Sequence, residues 1–310
     1  AAEHTTIFGR ITPQQKERLV DALKANGHYV AMIGDGVNDV LSLKKAHIGV
    51  AMQSGSQATR GVADIILLND SFAALPSAFS EGQRIVNGML DIMRLFLTRV
   101  LSQTLIILGV AVIGLGFPIT PIHQSLLSLF TVGIPVLVLA AWARPGKPGG
   151  RLIQSVIQFM LPAGTTLGVV GVLVYVLYYV GLLRGAGIQD VLGTIDPLVY
   201  APILEMARTM LTTVTTIGGL IAILLVEPPT RFWASGEAPS GDLRPTWLAL
   251  GLLALYLLIM FIPDWRAFFE LSALEGRDWL LVAGALVLWT LAMRFLLRKR
   301  IVARFMRLDG

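Results

Sequence analysis

Six long apolar stretches follow one another from about residue 93 onward, and they constrain the fold more than any other feature of the sequence. A helix needs roughly 20 apolar residues to cross the hydrocarbon core of a bilayer. The candidate spans are about 95–117, 121–143, 157–183, 199–226, 247–263 and 279–297. We therefore predict an all-α membrane bundle of six transmembrane helices, with both ends of the bundle on the same side.

The composition agrees with a chain that is largely embedded in a membrane. Apolar residues make up 55% and charged residues 15%, and the mean hydropathy is +0.70. Residues 1–91 carry 8 Lys and Arg against 9 Asp and Glu, whereas the remainder carries 17 against 11. Because the basic excess belongs to the apolar part, it indicates membrane topology and no nucleic-acid partner. The absence of cysteine excludes disulfides, thiolate metal sites and cysteine catalysis.

The charges of the loops predict an orientation. Segments 143–151 and 294–307 are basic without acids, whereas segments 183–197 and 264–278 contain more acids than arginines. The positive-inside rule places the first two in the cytoplasm together with the amino-terminal region. The chain begins with Ala1 and shows no signal segment, so we expect an excised piece of a longer protein.

Residues 1–92 alternate apolar runs with helical patterns and are predicted to form one domain, followed by the membrane domain 93–310. Thr12 and Pro13 are typical of a helix start, and Asn26 with Gly27 of its end. We predict a short helix at 39–46 and strands at 28–33, 48–52 and 64–68. Strands that alternate with helices indicate a parallel α/β sheet, which keeps its ligands at the carboxyl ends of the strands.

The polar loop GDGVND, residues 34–39, follows the first predicted strand. Asp35 and Asp39 stand four residues apart across a tight glycine turn. This arrangement suits Mg²⁺, which takes one or two carboxylates and completes its shell with water and substrate phosphate. The loop lacks GxxxxGK[ST] and is therefore not a nucleotide P-loop. The alternative is a plain turn from strand to helix, with Asp39 as the helix N-cap.

Four short segments carry a resemblance to a known family. TPQQK (12–16), MIGDGVND (32–39), LKKAHIGVAM (43–52) and ADIILLND (63–70) occur in the order and spacing of the phosphorylation domain of P-type cation-transporting ATPases. EGQRIVNGMLDIMR (81–94) resembles the stalk that leads into the fifth membrane helix of that family. With the six spans, the resemblance covers essentially the whole chain. It implies a haloacid-dehalogenase-like, Rossmann-type partial α/β domain before the membrane bundle.

The resemblance also implies roles for individual residues. Asp35 would ligate Mg²⁺, Asp39 would support the metal site and orient its loop, and Asn38 would help to hold the phosphate or the metal shell. Lys16 would place a positive charge on the phosphoryl oxygens of ATP, the substrate of the family. Gly34 and Gly36, which flank Asp35, are assigned to the binding of the cofactor.

The DKTGT segment, whose aspartate is the nucleophile of the family, does not occur in the sequence, nor does TGE. We therefore expect the chain to be a carboxyl-terminal piece of a pump, inactive without the amino-terminal part, which would belong to the same gene or to a separate chain. Two alternatives are a membrane-tethered phosphatase of the haloacid-dehalogenase type and a non-catalytic split subunit or remnant. The resemblance places the pump in a bacterial plasma membrane.

Polar residues in the first two spans are the predicted cation ligands: Ser102, Gln103, Ser128 and Thr131. Alignment on Arg94 places Gln103 at the glutamate that calcium pumps use in this helix, whereas alignment on Pro118 gives Leu105 instead. In the second span the family acid is replaced by Val132. The FTxGIP pattern resembles bacterial members linked to calcium, so we expect a divalent cation such as Ca²⁺. Arg99 is expected nearer the cytoplasmic end, with its side chain extended toward the interface.

Overall fold

The computed structural model describes residues 4–146, 152–188, 197–233 and 240–299, and the chain divides into two compact units. The first is Ala1–Glu81 and the second is Gly82–Gly310. The boundary falls inside one long helix, Ala74–Ile113, which also contains the predicted domain division at residue 92. That division stays a prediction. The predicted topology segments 143–151, 183–197 and 294–307 lie in part outside the described residues.

The first unit begins with helix α1, Pro13–Ala25, whose ends are set by local side chains. Thr12 Oγ1 accepts from the Gln15 backbone N–H at 3.3 Å, and Gln15 Oε1 accepts from the Thr12 N–H at 2.8 Å. This reciprocal capping box satisfies N–H groups that the helix itself leaves unpaired. Gly27 then adopts a left-handed φ of 82°, which ends the helix.

Three parallel strands follow, in the spatial order β1-β2-β3: β1 Ala31–Gly34, β2 Ile48–Met52 and β3 Ile65–Leu67. Helix α2, Val40–Lys45, connects β1 to β2, and helix α3, Gln57–Val62, connects β2 to β3. Parallel neighbours require such crossovers, since a tight hairpin would reverse the direction of the strand. The predicted parallel α/β sheet is thus confirmed.

The first strand begins three residues later than the sequence pattern indicates. The Val30 N–H donates to His47 Nδ1 at 3.0 Å, and the Val30 carbonyl accepts from the His47 N–H at 2.9 Å. Tyr29 stacks on the ring of His47, with 4.2 Å between the centroids. Residues 28–30 therefore contact the loop before β2 instead of extending the ladder, although their composition is typical of a strand.

The second unit contains the six predicted membrane-spanning helices, which confirms the predicted bundle. Within the described residues, six helices are long and apolar enough to cross a bilayer. They are α4 Ala74–Ile113, α5 Pro121–Ser128 joined to α6 Ile134–Trp142, α7 Leu152–Gly185, α8 Pro197–Val226, α9 Arg244–Phe261 and α11 Gly276–Arg298. A short helix α10, Pro263–Phe268, lies between α9 and α11.

The second span is interrupted just before Pro135. Residues Leu129–Gly133 form a π-helical turn between α5 and α6. Pro135 has no N–H to donate to a carbonyl in the preceding turn, so a regular α-helix cannot continue through it. The interruption is a π turn and not an open break, because the Ile134 N–H still reaches the Leu129 carbonyl.

Small residues allow α7 to approach α4 closely. A Cβ added at Gly164 would lie 2.9 Å from the Leu101 Cβ, and one added at Gly168 would lie 2.9 Å from the Leu105 Cβ. Lipid tails are as apolar as leucine, so helices in a membrane associate chiefly by such close packing. The cluster of buried apolar side chains is completed by α8, α9 and α11.

Asp242 connects the end of α6 to the start of α9. Its Oδ2 lies 2.8 Å from Arg144 Nη2 and 2.7 Å from Arg244 Nη2. The Arg244 N–H also donates to Asp242 Oδ1 at 3.0 Å. These hydrogen bonds from Arg244, together with the charge of Arg144, lower the pKa of the Asp242 carboxyl to about 2.

The lowered pKa of Asp242 predicts a pH-dependent contribution to stability. The pKa is lower in the folded than in the unfolded state, so the stabilisation is present above about pH 4 and is lost as the pH falls toward about 2. Both arginine side chains are about half exposed, so we discount the shift for screening and expect Asp242→Asn to lower the free energy of unfolding by about 1 kcal/mol at pH 7.

Thermal unfolding in detergent at pH 7 and at pH 2.5 measures this effect. The difference between Asp242→Asn and the wild type should shrink at the lower pH. Arg277→Gln is the matched control, because it removes an ion pair to Glu275 that is largely exposed. Equal destabilisation by both variants would contradict the assignment.

Candidate functional site

A short ion pair closes the carboxyl end of β1. Lys16 Nζ, from α1, lies 2.6 Å from Asp39 Oδ1, at the start of α2. The Asp39 side chain is 8% exposed and that of Lys16 is 31% exposed. The second oxygen, Oδ2, accepts from the Gly36 N–H at 3.4 Å. Both carboxylate oxygens of Asp39 therefore have partners, and its charge is balanced by Lys16.

A second ionic contact holds α1 against α2 and so helps to position Lys16. Lys45 Nζ, in α2, lies 2.9 Å from Glu17 Oε1 and 2.7 Å from Asp21 Oδ2, both in α1. Hydrogen bonding to Asp21 and then Glu17 raises the pKa of the Lys45 ammonium. Lys24 Nζ also donates to the Lys45 carbonyl at 2.7 Å. Two adjacent turns of α1 are thus connected to the end of α2.

Gly34 makes room for the side chain of Asp39. A Cβ at position 34 would lie 2.5 Å from the Asp39 Cβ and 2.8 Å from its Oδ2, closer than atoms of this kind can approach. Gly36 is less constrained, since its nearest neighbour would be Asp39 Oδ2 at 3.8 Å. The requirement for glycine at position 34 is therefore steric: the strand end and the start of α2 are in contact.

Asp35 presents an exposed carboxylate on a fixed backbone. Its carbonyl accepts from the Ser56 N–H at 2.8 Å and from Thr59 Oγ1 at 3.2 Å, both at the start of α3. A Cβ on Gly55 would lie 2.9 Å from the same carbonyl oxygen. Within the described residues the Asp35 carboxylate has no hydrogen bond or ion pair. Asn38, in the same loop, is also exposed.

The loops after β2 and β3 extend this edge of the sheet, and the sequence did not predict their contacts. The Ser54 N–H donates to Asp70 Oδ1 at 3.0 Å, and the Asn69 N–H donates to Gln53 Oε1 at 2.6 Å. The backbone hydrogen bond from Ser54 lowers the pKa of the Asp70 carboxyl. Asp70 lies in the segment ADIILLND that carries the resemblance, and this was the sequence signal that could have identified it.

The donor set of the first unit fits Mg²⁺. Asp35 supplies a free, exposed hard oxygen ligand, and the described residues contain no group of three or more His, Asp or Glu that could hold a metal by themselves. A metal here would complete its shell with water and substrate oxygens, which is the habit of Mg²⁺. The structure thus brings Lys16 and Asp39 into direct contact and leaves Asp35 and Asn38 free in the same loop.

A small cavity lies among the membrane helices, with a volume of about 20 Å³, enough for about one water molecule. It is lined by α4, the second span, α7 and α8. Three of the four predicted cation ligands, Ser102, Gln103 and Thr131, lie on its wall, whereas Ser128 does not. The other polar residues of the wall are Thr98, Arg99 and Thr215.

The hydroxyl groups of the predicted ligands already have hydrogen-bond partners. Ser102 Oγ donates to the Arg99 carbonyl at 2.9 Å, and Thr131 Oγ1 donates to the Leu127 carbonyl at 2.7 Å. Ser128 Oγ donates to the Gln124 carbonyl at 2.7 Å. Such bonds to the preceding helical turn satisfy a hydroxyl hydrogen but leave oxygen lone pairs free. The assignment of these residues to a cation stays a prediction.

Gln103 makes a side-chain contact to the second span. Its amide nitrogen donates to Gln124 Oε1 at 2.9 Å, and Gln124 Nε2 donates to Gln103 Oε1 at 3.0 Å. This reciprocal pair joins α4 to α5. A cation at Gln103 would have to share or replace the contact with Gln124, a partner that the sequence analysis did not identify.

Arg99 makes a contact that the sequence did not indicate. Its guanidinium donates from Nη2 to Ser128 Oγ at 2.6 Å, with a longer contact of 3.5 Å to the Gln124 carbonyl. The residue also lines the cavity, where it is the one charged side chain among the described lining residues. The structure thus brings a fixed positive charge to the predicted cation ligands.

A parallel α/β sheet with this charged loop and a bundle of apolar helices together define a haloacid-dehalogenase-like unit joined to an integral membrane domain. The family model that matches is described as a haloacid dehalogenase-like hydrolase, over residues 2–47. The match covers α1, β1 and α2, and it includes Lys16, Asp35 and Asp39.

The chain is similar to curated proteins described as calcium-transporting ATPases. A calcium-transporting ATPase CtpE of Mycolicibacterium smegmatis is 40% identical over 189 residues, which is 58% of this chain and 24% of that protein. A calcium-transporting ATPase of Bacillus subtilis is 27% identical over 310 residues, 96% of this chain and 33% of that protein. An endoplasmic reticulum-type calcium-transporting ATPase 3 of Arabidopsis thaliana is 31% identical over 189 residues, 58% of this chain and 19% of that protein.

These similarities confirm the resemblance to a carboxyl-terminal portion of P-type cation-transporting ATPases. The match spans about a quarter of the length of the mycobacterial relatives. The chain is accordingly similar to a part of those pumps. Its six apolar helices make it an integral membrane protein.

Because Gly34 lies against the Asp39 side chain, adding a single methyl group at position 34 should disturb the structure locally. Gly34→Ala would force the Asp39 side chain away from its position and weaken its bond to Lys16. Hydrogen–deuterium exchange of the whole chain should then show faster uptake in peptides covering residues 34–47. Gly61→Ala is the control, because no atom lies within 4 Å of its added Cβ. Unchanged uptake in Gly34→Ala would contradict the steric argument.

Proposed function

We propose that this chain is the carboxyl-terminal portion of an ATP-driven cation pump in a bacterial plasma membrane, and that the pump transports a divalent cation such as Ca²⁺. The proposal is supported by similarity to calcium-transporting ATPases, including one that matches 96% of the chain. The remainder of the pump, in the same gene or in a separate chain, would supply the phosphorylated aspartate. ATP is the proposed substrate of the complete protein.

The observation that carries the proposal is the pairing of Lys16 with Asp39 next to an unpaired Asp35. A site for phosphoryl transfer needs positive charge for the phosphoryl oxygens and a ligand for a metal. The 2.6 Å contact with Asp39 holds the Lys16 ammonium at the carboxyl end of β1. Asp35, on a backbone held by α3, offers its carboxylate to solvent.

Each residue of the loop has a proposed task. Lys16 binds a phosphoryl oxygen, and Asp39 orients Lys16 while fixing the loop through the Gly36 N–H. Asn38 contributes an amide to the phosphate or to a metal-bound water. Asp35 would hold Mg²⁺, which offsets the charge of the phosphoryl oxygens when bound. Gly34 and Gly36 have no side chains, so the loop backbone can lie close to the phosphate and to Mg²⁺.

In the membrane, we propose that the cation passes between α4 and the second span, near Ser102, Gln103, Ser128 and Thr131. Three of these residues border the small cavity, and the π turn next to Pro135 is a local departure from regular helix of the kind used for ion coordination. The loop charges support a cytoplasmic position for the amino-terminal unit and the carboxyl terminus.

The role of Asp35 is tested in the complete protein by Asp35→Asn. We expect cation-stimulated ATP hydrolysis to fall by at least about a hundredfold, since neutralising the metal ligand removes several kcal/mol of charge stabilisation. Asp64→Asn is the matched control, because Asp64 is an exposed carboxylate of the same unit that accepts from the Gly49 N–H at 2.7 Å, a bond that an amide oxygen can also accept. Hydrolysis is measured with Ca²⁺, Mg²⁺ and Mn²⁺ varied separately.

Unchanged turnover in Asp35→Asn would defeat the metal assignment. If hydrolysis of a phosphate ester proceeds at the same rate with and without a transported cation, the membrane-tethered phosphatase is the better description. A pump requires that hydrolysis respond to the cation and that the cation accumulate in sealed vesicles.

A further inference from the structure

We propose that Arg99 is a specificity-determining residue of the membrane cation site, and that its guanidinium is an internal cation that competes with the transported ion for the hydroxyl oxygen of Ser128. This inference rests on the proposed function, since it concerns the site through which the pump would move its cation. It predicts that removing the charge of Arg99 tightens cation binding.

The first support is the contact of the guanidinium. Arg99 Nη2 lies 2.6 Å from Ser128 Oγ, whose own hydrogen is directed to the Gln124 carbonyl. The serine oxygen therefore accepts from Arg99 with one of its two lone pairs. A metal ion that used the same oxygen would stand a few ångströms from a positive charge, so binding of the ion and the present position of Arg99 oppose each other.

The second support is a pair of unsatisfied polar atoms next to the cavity. Thr98 is 3% exposed, and its Oγ1 has no hydrogen-bond partner within the described residues. Arg99 Nε is likewise buried without a partner, and both residues line the cavity. Buried polar atoms without partners are rare and indicate a bound water or ligand. The cavity thus has a partly polar wall and space for one guest of the size of a water molecule.

The third support is the charge of the lining. Within the described residues, the polar groups of the cavity wall are hydroxyls, one amide and the guanidinium of Arg99, beside an apolar part, and no carboxylate lines it. A dehydrated divalent ion is normally bound by several oxygens that include carboxylates. A cavity with one positively charged side chain and neutral oxygens matches such an ion poorly as long as the guanidinium stays in its present position. Arg99 would therefore determine the affinity of the site for a cation and the ionic charge of the cation that the site accepts.

Equilibrium binding of ⁴⁵Ca²⁺ to the complete protein in lipid nanodiscs, without ATP, tests the proposal. We expect Arg99→Gln and Arg99→Met to lower the dissociation constant by at least about tenfold. Arg99→Lys keeps the charge and should stay within about threefold of the wild type. Arg208→Gln is the matched control: this arginine, in α8, donates from Nε to the Phe117 carbonyl at 2.8 Å and does not line the cavity.

Two uncharged variants are used because one of them can fail to fold, and thermal unfolding identifies the one to be measured. If the wild type binds Ca²⁺ and the folded uncharged variant binds it equally or more weakly, the inference about Arg99 is wrong and the cation site remains. A gain in affinity that Arg208→Gln or Arg99→Lys reproduces also overturns it. If neither the wild type nor any variant binds Ca²⁺, the proposed transport site fails together with the inference.

Discussion

The hydrocarbon core of the bilayer offers no hydrogen bonds, and the architecture of the second unit follows from that constraint. Every backbone polar group in the core must find its partner within the protein, which leaves helices as the form that a single segment can adopt. Many side-chain hydroxyls follow the same rule: Thr213 Oγ1 in α8 donates to the Thr209 carbonyl at 2.8 Å and lies 2.8 Å from Tyr256 Oη. Trp289 Nε1 donates to Thr166 Oγ1 at 3.0 Å. Exceptions to this rule therefore carry information.

The two candidate sites of the chain lie in different dielectric surroundings. Lys16 and Asp39 meet at the edge of a sheet, where Lys16 is about one-third exposed and the pair is neutral. Arg99 lies in a membrane helix and is held by neutral oxygens alone among its described contacts. Two unit charges 4 Å apart interact by about 1 kcal/mol in water and by about 4 kcal/mol at an effective dielectric constant of 20. The same charge therefore has a larger effect on a neighbouring ion at Arg99 than at Lys16.

Elements that depend on neighbouring residues in the sequence could be predicted. Elements that depend on contacts between residues far apart in the sequence could not. Thr12 and Gly27 define α1 because capping acts within one turn of the helix, and apolar length alone identified the six spans. The start of β1 depends on His47, 17 positions from Val30, and no pattern in residues 28–33 contains that contact. The contact of Arg144 with Asp242 likewise joins residues about a hundred positions apart.

The candidate sites show the same division. The candidate residues of the loop from Gly34 to Asp39 are consecutive in the sequence, so the sequence alone could single them out. The steric need for glycine at position 34 became apparent only from the position of the Asp39 side chain in the structure. The proposed membrane site combines residues of two spans, and a sequence shows which oxygens each span brings but not which of them an arginine will contact. The resemblance implies that Val132 stands in the place of a family acid, which removes a negative charge, and Arg99 adds a positive one beside the cavity. The two changes act in the same direction, because each weakens the attraction of the site for a dehydrated divalent ion.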